Sequence, residues 1–189
     1  RNMPDQLTNL ISLLQNNLIL YIPSIFLLKM LGLLIPIIPG GLFTLTAVPV
    51  IGWLPAYLVD LWGSIVASYI AYGISNRYGV AVIRRLFGQK ILDKLAQVTV
   101  KPNRAIETAC MLRLASVGML SDALIWGAPL LKLPRWKFLV GYHLAHLLTT
   151  APLFFLTERA VSVNQAGYLL PIALASLLLL FVLKGRYFE

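Results

Sequence analysis

This sequence predicts an all-α membrane fold, with about three spanning helices and two oppositely directed re-entrant helical hairpins in an inverted repeat. Three observations predict it. Apolar residues make up 59% of the 189-residue chain and charged residues 12%, with a mean hydropathy of +0.80. Soluble domains carry about twice that share of charge. The apolar residues fall in long runs rather than a strand-like alternation, and the basic residues concentrate between the runs. In such a chain the net charge of +9 reports topology first, which demotes nucleic acid as a partner.

Residues 7–31 form the first apolar run, long enough to cross ~30 Å of hydrocarbon, kinked at Pro23 and closed by Lys29. Residues 32–57 carry no charge, yet they hold Pro36, Pro39, Pro49 and Pro55 with Gly40, Gly41 and Gly52. Four prolines do not fit one straight helix, and the stretch is too apolar for an aqueous loop. A re-entrant hairpin, shielded by protein or lining a wet cavity, meets both demands.

The next span covers 58–76. Gly63, Ala67, Ala71 and Ser75 recur every four residues on it, a small-residue ridge against which another helix packs closely. Asp60 reads as an N-cap or interface residue at its start. Residues 77–104 hold Arg77, Arg84, Arg85, Lys90, Lys94, Lys101 and Arg104 against one acid, Asp93. Val80, Ile83, Phe87, Ile91 and Leu95 interleave at helical spacing. This reads as an amphipathic segment at the cytoplasmic membrane surface, touching anionic headgroups.

Residues 105–131 are apolar but carry Glu107, Arg113, Asp122 and Pro129; the spans at 136–157 and 168–183 follow. If 105–131 is re-entrant, Lys132, Arg135, Lys137, Lys184 and Arg186 stay on the side of the basic segment, and both termini are cytoplasmic. If it crosses, all five move outside, against the positive-inside rule. The expected location is the inner, plasma or an equivalent internal membrane, with Trp53, Trp62, Trp126 and Trp136 as interfacial aromatics.

Two constellations bear on function. Arg113 is a charge well inside an apolar segment, and Asp122 lies nine residues later in the same hairpin; the two are expected to approach each other. Two readings stand: a polar centre lining a headgroup or ion path, and a structural pair or snorkelling arginine. His143 and His146 lie three apart on one helical face. Interhelical hydrogen bonding is favoured there over a shared metal, haem, pigment or proton path. Cys110 has no disulfide or metal partner by spacing, no metal site is expected, and no cofactor is predicted. Phosphate-loop, dinucleotide, nucleophile-elbow and His-Glu-x-x-His motifs are absent, so an enzyme is not expected.

In the first hairpin the order Pro36-Ile37-Ile38-Pro39-Gly40-Gly41 is similar to a Pro-x-x-Pro-Gly-Glu motif. The following helix places Gly63, Ala67, Ser68, Tyr72, Ser75, Asn76 and Gly79 in the register Gly-x3-Gly-Asp-x3-Tyr-x2-Gly-Arg-x2-Gly. Arg113 with Ser116, then Gly127, then Phe138-Leu139-Val140-Gly141 follow the order of an Arg-x-x-Pro hairpin and its Phe-Leu-x-Gly helix. From Gly32 to Pro152 the chain thus resembles the DedA or VTT-domain (SNARE-associated Golgi protein) family. The resemblance implies lipid transport or scrambling, with Arg113 and Asp122 on the lipid path and Pro36, Pro39, Gly40 and Gly41 shaping the opposite hairpin. Membrane lipids, and a membrane-protein partner or a second copy, are the implied partners. The family's acids are replaced by Gly41 and Ser68, its proline by Ser116, and a second arginine by Met119. These losses keep open a second function, a non-transporting accessory subunit of a larger membrane complex.

Overall fold

The computed structural model describes residues 9, 11–35, 38, 40–98, 100, 104–116 and 119–161. The expectations for Pro36, Pro39 and the span at 168–183 lie outside them. Among the described residues the structure is helical, with no strand.

Helix α1 is Leu18–Leu34. The run expected over 7–31 is broken by a turn at Asn16–Asn17, where the Asn17 side chain donates to the Leu13 carbonyl at 2.8 Å. Short amides that bond the local backbone compete with the helical ladder in this way. The helix continues through Pro23 and past Lys29, so Lys29 is an interior residue and does not close the element.

The proline-rich stretch forms two short helices, α2 (Gly40–Thr46) and α3 (Val48–Ile51). Gly52, at φ 82°, ends α3 in a conformation that suits glycine. Helix α4 then runs from Trp53 to Tyr78. Pro49 and Pro55 fall in first turns, where the lost N–H had no helical acceptor in any case. That is why α4 begins at Trp53, five residues ahead of the expected start, and why Asp60 lies inside the helix and not at its cap.

Gly79 and Gly88, both at positive φ, separate α4 from α5 (Val80–Phe87) and α5 from α6 (Gln89–Ala96). The apolar stripe of this pair is turned mainly into the bundle. Ile83, Phe87, Ile91, Leu92 and Leu95 are buried in one cluster with Trp126 and Phe138, while Val80 is exposed. The basic residues point outward because their side of the helices is the one left over. Trp126 is likewise a core residue, and its indole donates to the Leu33 carbonyl at 3.4 Å.

Helices α7 (Ala105–Ala115), α8 (Met119–Gly127) and α9 (Arg135–Ala160) complete the described chain. Helices α4 and α9, 26 residues each, are long and apolar enough to cross a membrane. They are antiparallel neighbours. The Trp53 N–H donates to Glu158 Oε1 at 3.0 Å at one end, and the Tyr72 and Phe138 rings lie 6.3 Å apart towards the other.

The shorter helices form two pairs that approach from opposite ends of α4 and α9. Helix α1 runs alongside α4 in the same direction: Lys29 lies on Gly63 and pairs with Asp60, and Leu33 joins the cluster of Ala67 and Ala71. Helices α2 and α3 return, with Thr44 on Asp60 and Val48 in the cluster of Ala56 and Tyr57. The second pair enters beside the start of α9. Gly141 lets α9 touch the α7 backbone, since a methyl there would overlap the Ile106 carbonyl oxygen and reach 2.9 Å from Ala109 Cβ. Helix α8 returns outward from Ser121, which accepts from Tyr142 Oη at 3.3 Å, to Trp126, whose carbonyl accepts from the Ser75 hydroxyl.

Candidate functional site

The two pairs meet at a group of charged side chains enclosed by the bundle. Asp60, 1% exposed, is its centre. Lys29 Nζ of α1 lies 2.6 Å from Asp60 Oδ1, and the Thr44 hydroxyl of α2 donates to the same oxygen at 2.6 Å. His146 Nε2 of α9 lies 2.8 Å from Oδ2. A carboxylate only accepts, so His146 Nε2 carries the proton. Its Nδ1 lies 3.2 Å from the Thr150 hydroxyl. The Lys29 ammonium and the Asp60 carboxylate are in direct contact, and the cluster fastens α1, α2, α4 and α9 at one point.

The second pair contributes charges of another kind. The Arg113 guanidinium stacks over the Tyr142 ring at 5.2 Å, and its Nε has no hydrogen-bond partner among the described residues. Asp122 borders a cavity of about 50 Å³ whose other walls are Lys29, Gly32, Leu33, Gly40 and Gly41. No salt bridge joins Arg113 to Asp122 among the described residues, so the direct pair expected from their spacing is not formed. Asp122 lies instead within the electrostatic reach of both Lys29 and Arg113. A water needs roughly 10–15 Å³ of such space, so the cavity admits water, and a lipid headgroup needs the two pairs to part.

Gly41 leaves this space open, because a methyl on it would lie 4.0 Å from Lys29 Nζ. The position where the family resemblance expects a glutamate is therefore beside the amine. Gly40 is buried against the Lys29 backbone. The ridge of Gly63, Ala67, Ala71 and Ser75 is buried along its length, and Gly63 accommodates the Lys29 stem. Ser68 is buried too, and its hydroxyl donates to the Ser64 carbonyl.

His143 and His146 have rings 6.1 Å apart, but both nitrogens of His146 are already engaged. The His143 nitrogens are buried without hydrogen-bond partners among the described residues. No group of three or more metal-ligating side chains is assembled among the described residues.

Local spacing singles out neither Lys29 nor Thr44 and gives Asp60 only a capping or interface role. The signal was present: Lys29 and Asp60 are opposite charges near two apolar runs, and charges so placed seek each other. Comparison with family models, curated proteins and solved structures finds no match to this chain. What stands is an all-helical protein with two helices able to cross a membrane and a buried charge cluster between opposed helical pairs.

Proposed function

We propose that the chain is an integral membrane protein of the DedA or VTT type that moves lipid headgroups across the bilayer. The observation that carries this reading is the placement of Lys29, Asp60, Arg113 and Asp122 where the two helical pairs meet. In inverted-repeat transporters, substrates bind where broken helices converge near the midplane, and ionisable residues at membrane depth mark such paths. The two pairs then act as re-entrant hairpins from opposite faces, alongside about three full spans. The end bearing Arg77, Arg84, Arg85, Lys132, Arg135 and Lys137 is cytoplasmic by the positive-inside rule.

In this mechanism the Lys29–Asp60–His146 cluster holds the first hairpin to α4 and α9. Arg113, with donor capacity unspent, attracts the lipid phosphate. Asp122 faces the widening cavity, and Pro36, Pro39, Gly40 and Gly41 shape the opposite tip. Acyl chains remain in the bilayer. Membrane lipids are the only partners this mechanism requires, and it uses no cofactor.

Reconstitution into vesicles with headgroup-labelled lipids tests the reading. The parent should move label faster than empty vesicles, and Arg113→Gln and Asp122→Asn should slow it at least about ten-fold without loss of folded protein. Vesicles no faster than the empty control, together with a fixed heteromeric partner on native gels, would favour the accessory-subunit reading.

A further inference from the structure

A second feature lies on the outer side of the second helical pair. Between α6 and the α7–α8 pair runs an open groove of about 190 Å³, walled by Ile91, Leu95, Leu112, Ala115 and Leu124, with Lys94 as its one charged residue. The walls are fixed to one another, since the Leu95 side chain presses on Gly127 of α8. Leu124 is two positions beyond Asp122, so it lies on the opposite side of α8 from the polar cavity.

Among the described residues no salt bridge offsets the charge on this groove. Asp93, the single acid of α5 and α6, accepts from Gln89 Nε2 at 2.8 Å. No salt bridge holds Lys94 among the described residues, and Arg84 and Arg85 are exposed on the same helical pair. Apolar walls ending in an unpaired ammonium suit an amphiphile with an anionic head. We propose that the groove seats one acyl chain of an anionic phospholipid, with Lys94 on its phosphate. The bound lipid braces the face of α8 opposite Asp122. This site does not depend on transport: it needs only that the chain sits in a bilayer.

Native mass spectrometry of the full chain, extracted from bilayers of equal phosphatidylglycerol and phosphatidylcholine, tests it. The parent should retain phosphatidylglycerol in preference. Lys94→Gln should lower that retention roughly five-fold, the effect of one lysine at an anionic surface. Arg85→Gln, away from the groove, should leave it unchanged, and Ala115→Phe should displace both lipids by filling the groove. Lys94→Gln should leave headgroup movement in vesicles as in the parent, which separates this site from the transport path. Equal losses for Lys94→Gln and Arg85→Gln would reduce the effect to diffuse charge and overturn the proposal. So would retention undisturbed by Ala115→Phe. A disulfide between Leu112→Cys and Leu178→Cys in a Cys110→Ala background would also overturn it, because the chain itself would then cover the groove.

Discussion

The two halves of the bundle share a plan and differ in how they settle their charges. Each sets a helical pair before a 26-residue helix. In the first half, Lys29 and Asp60 are in direct contact, and Asp60 also takes a hydrogen bond from each of Thr44 and His146. In the second half, Arg113 rests on an aromatic face with an unsatisfied Nε, and Asp122 looks into a water-sized cavity. The same architecture thus carries a closed cluster that fastens and an open one with bonding capacity to spare. A buried charge that is already paired is costly to disturb, and one without an ion-pair partner has less to lose.

The strongest way to break that contrast is to open the closed half. Asp60→Ala leaves the Lys29 ammonium buried without its partner, and removing one member of such a pair costs about 3–5 kcal/mol. A large drop in melting temperature in detergent is expected, and adding Lys29→Met should recover part of it. If both variants melt like the parent, the cluster is not a fastener.

Gly141→Ala comes next. A methyl there meets backbone, which has no rotamer to yield, so α7 must move off α9. A loss of about 1–3 kcal/mol is expected, read by thermal unfolding with Gly73→Ala, where the new methyl meets only the end of the Arg135 side chain, as the control.

Glu158→Ala removes the acceptor of the Trp53 N–H and the negative charge at the start of α4. Losses of this kind are about 1 kcal/mol. A melting temperature that does not move would show that water replaces the carboxylate there.

The open half should respond differently. No salt bridge joins Arg113 to Asp122 among the described residues, so the stability effects of Arg113→Ala and Asp122→Ala should add within about 0.5 kcal/mol in the double variant. A coupling above ~1 kcal/mol would mean that the two pair after all, and the contrast between the halves would fall.

The smallest effect is expected at Gly41, where a methyl meets the Lys29 amine at ordinary contact distance. Gly41→Ala should leave stability unchanged or raise it by about 0.5–1 kcal/mol through the lower backbone entropy of alanine in a helix. It should also narrow the cavity, so slower lipid movement at unchanged stability would sharpen the assignment of that cavity to the path.

Composition and periodicity alone determined that the chain is helical and apolar enough to cross a membrane. The two 26-residue helices and the small-residue ridge were legible because each follows from local spacing. The breaks at Gly52, Gly79 and Gly88 lie where glycine permits a backbone that other residues resist. Which charges meet was not legible. Lys29 and Asp60 are 31 positions apart, and Asp60 and His146 are 86 apart. Their pairing depends on α1 running alongside α4 while α9 runs against it, and single-sequence spacing carries no record of that. The nearer charges in sequence, Arg113 and Asp122, were the natural pair to expect. Tertiary structure separated them, because the Tyr142 ring offers the guanidinium a face while Asp122 turns towards the cavity shared with Lys29.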